Sequence, residues 1–482
     1  MLDLRPVFQV VGTLLGILAV AMLAPALLDF RDGNDEWRVF VVSGGLTLFF
    51  GLAMVLGTRA PGCRHGIRQT FLAATFAWVV PPLFAALPLM YGPLQMDFTD
   101  AAFETISGLT TTGASNIHGL DVLPRGLLLW RALLNWLGGL GTIAMAVAVL
   151  PELAVGGMQM FRLEIPGPGE RATTRTARVA WVILAAYGGV TLVLALLLWL
   201  AGMSGFQALA HAMATISTGG FSTSDASVGN FDNAAIEMII MIGMIVGGMP
   251  FMLFFQLAKG NGKALLRDGQ LRWYFALLAL GTMGVSLWLM TSRGLGGLSA
   301  LRFGAFTVVS VMTGTGMFTV EYGNWGGMPA AILFFLAFVG GCAGSTTGGI
   351  KVFRFQFLFA DALVQMRRLL RPHAVLIASF NRRPIPEEVL GSVMGFLFVY
   401  ALSFALLAMA LAFLGLDFLT AVTGAASALA NLGPGLGSEI GPGGSYAALS
   451  DPVKWLLAGG MLFGRLEMFT ALVLFVPTFW RQ

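Results

Sequence analysis

Four short segments repeat one pattern: Thr111-Thr112-Gly113-Ala114, Thr218-Gly219-Gly220-Phe221, Gly314-Thr315-Gly316-Met317 and Asn431-Leu432-Gly433-Pro434. Each follows a short apolar stretch and precedes a longer apolar run. They recur at intervals of about a hundred residues, the mark of an architecture built from copies. The chemistry open to such segments is that of the main chain. A cation leaving water must be offered oxygens in place of its hydration shell, and backbone carbonyls serve only where the chain is extended and its side chains turn away. Glycine permits those conformations and the close approach of neighbouring strands. The hydroxyls of Thr112, Thr218 and Thr315 are further candidate oxygens, while Asn431-Leu432-Gly433 has none.

Positioning falls to the residues just before each segment. About ten residues there form a half-helix pointing into the bilayer, at 98–107, 206–216, 301–312 and 418–429. Asp100 and Asp417 stand at or near the starts of two of them, where a carboxylate suits the positive end of the helix dipole. The C-terminal ends aim partial negative charge at a common centre. Irregular backbone at membrane depth is tolerated only where protein surrounds it or water lines it. The unit therefore reads helix, half-helix, glycine-hinged segment, helix, four times over, and four copies around one axis make a pore.

Composition supplies the membrane. Hydrophobic residues make up 57% of the 482 and charged residues 11%, with mean hydropathy +0.82, far from the roughly 25% charge of a soluble domain. A hydrocarbon core about 30 Å thick takes about 20 apolar residues per helical crossing. Runs of that size lie near 7–29, 38–57, 71–91, 126–150, 179–201, 233–257, 273–291, 328–350, 390–414 and 453–477, about ten spans. The first is longer than the apolar core of a signal peptide and reads as a retained helix.

Lysine and arginine cluster after the second span (Arg59, Arg64, Arg68), the fourth (Arg162, Arg171, Arg175, Arg178), the sixth (Lys259, Lys263, Arg267, Arg272) and the eighth (Lys351, Arg354, Arg367, Arg368, Arg371, Arg382, Arg383). Those loops read as cytoplasmic, which with Arg5 and Arg481 puts both termini inside. Acids, among them Asp32, Asp35, Asp100, Glu104, Asp225, Glu237 and Asp417, gather on the other side, and a negative vestibule concentrates cations. The net charge of +4 follows from this topology and does not indicate nucleic acid. Cys63 in a loop and Cys342 in a span do not suggest a disulfide. The longest polar linkers, 151–178 and 352–388, are too short for folded domains, so a cytosolic regulatory domain is expected on a separate chain.

The segments Phe103-Glu104-Thr105-Ile106-Ser107-Gly108-Leu109-Thr110-Thr111-Thr112-Gly113-Ala114, Ile216-Ser217-Thr218-Gly219-Gly220-Phe221-Ser222-Thr223 and Asn431-Leu432-Gly433-Pro434-Gly435-Leu436-Gly437 resemble the filter loops of the TrkH/TrkG/KtrB superfamily of potassium uptake proteins. Four loops correctly spaced within matching helices extend the resemblance over almost the whole chain. The extra helix pair near 7–57 is closer to TrkH and TrkG than to the shorter KtrB proteins. The resemblance implies an all-α polytopic membrane fold with four M1-P-M2 potassium-channel-like repeats around one pore, preceded by an extra transmembrane helix pair. The pair would occupy 1–69 and the repeats 70–178, 179–272, 273–387 and 388–482.

It further implies a filter built from Thr111, Thr112, Gly113, Thr218, Gly219, Gly220, Gly314, Thr315, Gly316, Asn431, Leu432 and Gly433, with K+ as the transported ion and no cofactor. Sodium-favouring relatives often carry serine at the first glycine, so Gly113 argues for potassium. Met317 stands where the family often has phenylalanine. That departure and the hydroxyl-free fourth loop imply imperfect fourfold symmetry and modest selectivity.

Gly340-Gly341-Cys342-Ala343-Gly344-Ser345-Thr346-Thr347-Gly348-Gly349 interrupts the span after the third filter segment. So many glycines oppose a continuous helix, each costing up to about 1 kcal/mol against alanine. Close helix packing through small residues is one reading; the resemblance implies an intramembrane gating loop beneath the filter. A phosphate-binding loop is disfavoured, because its glycine-lysine-hydroxyl order and preceding strand are missing. Arg465 lies in the last apolar run, where a charge faces a cavity or a partner. The resemblance implies a barrier under the filter, and an ion pair with Glu467 is the alternative, although residues two apart on a helix do not face each other. His118 and His211 read as loop or interface residues.

Two classes of function follow. One is a potassium translocation subunit of a bacterial Trk-type uptake system in the inner membrane, gated by the intramembrane loop and a cytosolic regulator. Its variant, a proton- or sodium-coupled symporter, needs an intramembrane carboxylate relay, for which Glu467 alone presents itself. The other class, an intramembrane hydrolase using Ser204 or Ser217 with His211, lacks a third orienting group. The resemblance also implies a TrkA-type nucleotide-binding partner on the basic inner loops and a homodimer in which each protomer keeps its own pore.

Overall fold

Long helices that are apolar on every side fit only lipid or a packed protein interior, and this chain has several. The computed structural model describes residues 3–58, 66–149, 153, 155–161, 172–258, 260, 262, 268–381, 383–437 and 439–481. The expectations for Arg59, Cys63, Arg64, Arg162, Arg171, Lys259, Lys263, Arg267 and Arg382, and for the side chains of Arg175 and Arg178, lie outside the described residues.

Among the described residues, seven helices are long and apolar enough to span: Arg5–Asp32, Trp37–Gly57, Ile67–Tyr91, Arg125–Val147, Trp181–Leu200, Gly269–Arg293 and Glu387–Phe413. A bent pair, Asp451–Arg465 with Phe469–Phe475, makes up to eight, turning by 105°. The expectation of ten continuous spans is corrected at 233–257, 328–350 and 453–477, which are broken. Gly248-Met249-Pro250 separates Ala234–Gly247 from Phe251–Ala258, as expected where proline supplies no N–H. The glycine-rich run separates Gly327–Phe338 from Val352–Leu370. Glu467 and Met468, both left-handed at φ 53° and 50°, turn the last run.

The extra helix pair crosses at two glycines. A Cβ on Gly12 would lie 2.7 Å from the Gly51 carbonyl oxygen, and one on Gly51 would lie 2.8 Å from that of Gly12. Small residues at a membrane crossing let backbones touch in this way. Four repeats follow, each an outer helix, a short re-entrant helix and an inner helix. The short helices hold the core: every residue of 101–112 is buried. The outer helix of the last repeat, Glu387–Phe413, is only 17% buried in its apolar window, against 72% for the inner helix Arg125–Val147, so the outer helix meets lipid. A two-residue hairpin, Ser379–Phe380 with Arg383–Pro384, is the one sheet among the described residues.

Two stretches read as polar linkers are structured. Val352–Leu370 is a helix with Phe353, Arg354 and Phe357 buried. Val155–Phe161 folds back so that Gly156 meets Arg354 and Gly157 meets Val393. Neither stretch has the apolar length of a span, so hydropathy alone could not separate them from loops.

Gly51→Leu is expected to force the first helix pair apart at an overpacking cost of about 1–3 kcal/mol. A lowered thermal midpoint in detergent, beside an unchanged one for Gly45→Leu, whose added Cβ meets nothing within 4 Å, checks this.

Candidate functional site

The four expected half-helices are present as Phe98–Leu109, Gly205–Ile216, Gly297–Met312 and Phe418–Ala430. Three begin at capping side chains. Asp97 accepts from the Asp100 N–H at 2.7 Å, Ser204 forms a capping box with Gln207 and Asp417 accepts from the Thr420 N–H at 3.1 Å. Asp100 itself pairs with Lys454 at 2.5 Å.

All four helices end alike. The N–H groups of Thr112, Gly219, Thr315 and Leu432 donate to the carbonyls of Ser107, Ala214, Ser310 and Ser427 at 2.8, 2.9, 2.9 and 3.0 Å. One residue earlier, Thr111, Thr218, Gly314 and Asn431 donate three residues back, to Gly108, Thr215, Val311 and Ala428. This is the Schellman ending, which needs a left-handed residue at its turn. The φ values there are 53° for Thr111, 51° for Thr218, 71° for Gly314 and 54° for Asn431. Glycine and asparagine enter that region readily, whereas a β-branched threonine is strained in it. Such strain persists only where the surroundings over-determine the backbone.

Two residues on, Gly113, Gly220, Gly316 and Gly433 are left-handed again at φ 82°, 80°, 76° and 92°. Alternating handedness turns successive N–H groups to one side of a strand and carbonyls to the other. A Cβ on Gly113 would lie 2.4 Å from the Gly219 oxygen, one on Gly220 2.0 Å from Thr315, one on Gly316 2.2 Å from Leu432 and one on Gly433 2.6 Å from Thr112. The contacts run from loop 1 to 2, 3, 4 and back to 1. The twelve candidate filter residues are thus brought together in one closed ring.

The candidate hydroxyls have protein partners. Thr112 Oγ1 lies 2.8 Å from Thr110 Oγ1 and accepts from Asn431 Nδ2 at 3.0 Å. Thr315 Oγ1 lies 2.8 Å from Thr313 Oγ1, and Thr218 Oγ1 donates to the Ser217 carbonyl at 2.7 Å. On one side the ring opens into a cavity of about 190 Å³ lined by Gly113, Gly220, Gly316, Pro434, Ser115 and Asp225. Several acids expected to make this vestibule negative are paired: Glu104 with Arg131 at 2.9 Å, Glu237 with Arg302 at 2.6 Å, Asp32 with Arg125 at 3.2 Å and Asp35 with Arg38 at 3.1 Å.

The glycine-rich segment lies against the other side of the ring. Thr346 Oγ1 lies within hydrogen-bonding distance of the carbonyls of Ile216 (3.1 Å) and Gly247 (3.0 Å), and of Thr218 Oγ1 at 3.2 Å. A Cβ on Gly348 would fall 2.2 Å from the Ala430 oxygen, and one on Gly340 2.0 Å from Gly348. The N–H of Cys342 donates to Gly248 (3.0 Å), and that of Phe251 to Gly344 (3.1 Å). Gly341 donates to Thr347 Oγ1 at 2.9 Å, Ser345 Oγ donates to Cys342 at 2.6 Å, and Gly349 is left-handed at φ 66°. The break in the second inner helix therefore supplies the carbonyls that the segment's N–H groups need.

Arg465 joins ring and segment: it donates to Thr111 Oγ1 at 2.5 Å and to the Thr346 carbonyl at 3.1 Å. Glu467 pairs with Arg354 instead of Arg465. The alternative of an Arg465–Glu467 pair is thereby overturned, because the chain turns at Glu467 and carries its carboxylate to another helix. Lys351 and Arg354, read from the sequence as cytoplasmic loop charges, are 4% and 0% exposed. Lys351 Nζ donates to the Thr347 carbonyl and to its hydroxyl at 3.1 Å, and Arg354 Nε donates to Gly156 at 2.9 Å.

Other site residues went unread in the sequence. Asn135 is fully buried, and a Cβ on Gly219 would lie 2.4 Å from its Cγ. Its signal is a polar side chain inside an apolar span. Gly138, Gly247 and Gly464 of three inner helices abut the carbonyls of Leu109, Ile216 and Leu429 at the pore-helix ends. The serine-histidine reading has no geometry: Ser204 caps its helix, Ser217 donates to Ala214 at 3.1 Å, and His211 Nδ1 donates to Gln207 at 2.9 Å. Among the described residues, no group of three or more His, Cys, Asp or Glu could hold a metal.

Four fused repeats whose re-entrant helices close one backbone ring define a membrane cation-transport protein of the four-loop pore type. The profile of the TrkH family, described as "Cation transport protein", matches residues 38–482, and the chain belongs to that family. It is 40% identical to the Trk system potassium uptake protein TrkI of Halomonas elongata, covering 99% of this chain and 97% of that one. It is 39% identical to TrkH of Escherichia coli strain K12, covering 99% of each. Its fold superposes on the crystal structure of the potassium transporter TrkH from Vibrio parahaemolyticus with TM-score 0.92 and 36% identity over 100% of both chains. A member of this family is a transport protein and not an enzyme.

Glu467→Gln leaves the buried Arg354 guanidinium without a counter-charge and is expected to destabilise by about 3–5 kcal/mol. Glu467→Leu with Arg354→Met is expected to recover most of that loss. Thermal unfolding of the three detergent-solubilised proteins checks the cycle.

Proposed function

We propose that this chain is the potassium-translocating subunit of a Trk-type uptake system in the bacterial inner membrane. The observation that carries the proposal is the closed ring of four left-handed glycines, each against the neighbouring loop's carbonyl. A ring of backbone oxygens replaces the hydration of a bare cation. In this reading Thr111 to Gly113, Thr218 to Gly220, Gly314 to Gly316 and Asn431 to Gly433 are the filter, and Gly340 to Gly349 with Arg465 form the gate. The repeats divide at 70–178, 179–272, 273–387 and 388–482, after the helix pair of 1–69. The clustering of basic residues in alternate loops supports a cytoplasmic position for both termini.

Relatives named as Trk system potassium uptake proteins support the choice of ion, as does glycine at position 113. A cytosolic TrkA-type, nucleotide-binding subunit acts on the gate, and the chain forms a homodimer with one pore per protomer. Coupled symport is disfavoured by Glu467, whose carboxylate is committed to Arg354 and is not free to relay a proton.

Purified protein in liposomes is expected to pass potassium under an imposed voltage without a proton gradient; flux that requires the gradient would instead establish symport. Adding the cognate TrkA-type protein is expected to make that flux respond to nucleotide. Two substitutions refine the test. Gly113→Ser must displace the Gly219 carbonyl at a backbone conformation foreign to serine, so the ratio of potassium to sodium flux is expected to fall while the protein still assembles. Arg465→Ala removes a fixed positive charge between ring and gate, so basal flux is expected to rise. Lower flux from well-assembled Arg465→Ala would exclude its role as a barrier.

A further inference from the structure

The four loops are not equal at their glycine carbonyls. Gly433 O accepts two hydrogen bonds, from Ser427 Oγ at 2.6 Å and from the Tyr446 hydroxyl at 2.6 Å. A carbonyl oxygen has two lone pairs, so this one is fully occupied by donors belonging to the protein. Among the described residues, no hydrogen bond reaches the carbonyls of Gly113, Gly220 or Gly316.

The positions equivalent to Ser427 explain the difference. Ser107 Oγ has no partner, and Ala214 has no hydroxyl. Ser310 Oγ donates one residue later, to Met317 at 2.6 Å. Loop 4 alone continues with proline, and the peptide between Gly433 and Pro434 carries no N–H that an outward-turned carbonyl would leave stranded. Tyr446 is held for this contact. It is 4% exposed, its ring packs on Phe103 at 5.4 Å, and its N–H donates to Ser115 of loop 1 at 3.1 Å.

We infer that Tyr446 and Ser427 are specificity-determining residues, which withdraw the Gly433 carbonyl so that the glycine layer of the ring offers an ion three protein oxygens instead of four. The inference rests on the ring being the potassium filter. Because the ring closes in chain order, loop 4 lies opposite loop 2, and an ion in this layer sits off the axis, toward Gly220. Water from the adjoining cavity completes its shell. Three carbonyls replace less of the hydration shell than four, so the layer discriminates less between potassium and sodium.

Freeing the oxygen reverses this. Tyr446→Phe keeps the ring against Phe103, and Ser427→Ala keeps the backbone bond from Leu432. In liposomes the double variant is expected to raise the potassium-to-sodium permeability ratio by about threefold, with each single variant between it and the parent. Should the double variant fail to assemble, the near-isosteric Tyr446→Phe carries the measurement alone. An unchanged or lowered ratio in an assembled, conducting variant would overturn the inference. A crystal of the unaltered protein soaked in Tl+ supplies a readout that a packing role would not move. Anomalous density in the glycine layer displaced from Gly433 toward Gly220 is expected, and an ion equidistant from all four glycine oxygens would overturn it. Absence of both Tl+ from the ring and potassium flux from the unaltered protein would instead remove the filter reading on which the inference stands.

Discussion

No side chain fits where the four loops meet. Each ring glycine puts its Cα against a neighbour's carbonyl oxygen, and a Cβ would fall between 2.0 and 2.6 Å from it. The ring closes this tightly because all four central residues lack side chains and take left-handed backbone, and a Cβ at any of them displaces the neighbouring carbonyl. The Schellman endings deliver that backbone, since each hands the chain from helix to loop through a left-handed residue with the last helical carbonyls satisfied. Two of those turn residues are threonines, held in strained backbone. Their strain is supported by burial at the ends of their pore helices, where every residue of 101–112 and of 214–219 is buried.

The inner helices are shaped by the same requirement. Gly138, Gly247 and Gly464 let three of them lie against the last carbonyls of the pore helices, where any larger residue would push the loops off the axis. Beyond that point none of the four continues as a regular α-helix. The first passes into a π-helix at Met145–Val149, and the others break at Gly248, after Phe338 and at Glu467. The breaks answer one another: carbonyls freed at Gly247 and Gly248 accept from the glycine-rich segment of the third repeat, and Arg465 at the end of the fourth reaches both that segment and loop 1. Irregular backbone at this depth persists because protein supplies its partners.

Among the described residues, three buried bases, Lys351, Arg354 and Arg465, stand on this side of the ring with one buried acid, Glu467. Glu467 and a main-chain carbonyl occupy Arg354, and Lys351 is bound to the glycine-rich segment at Thr347. Among the described residues, Arg465 has only neutral oxygens as hydrogen-bond partners.

Amino-acid types and spacing alone pointed to the membrane class, the four copies and the limits of the short helices to within a few residues, because these depend on local propensity and on a repeat visible along the chain, whereas the twelve candidate filter positions came from the resemblance of the loop segments to a known family. The third short helix begins at Gly297, four residues before the expected 301, where Gly296 supplies no capping side chain to mark the start. Only tertiary structure decided which apolar runs break, where the charges go and how the loops differ. Lys351 and Arg354 follow an apolar run and look like loop residues until the broken third helix draws them inside. Glu467 looks like a neighbour of Arg465 until the chain turns between them. Nothing along the sequence links Tyr446 to Gly433, 13 residues earlier. These outcomes rest on contacts between distant segments, and a hydropathy pattern records how deep a residue lies but not what it faces.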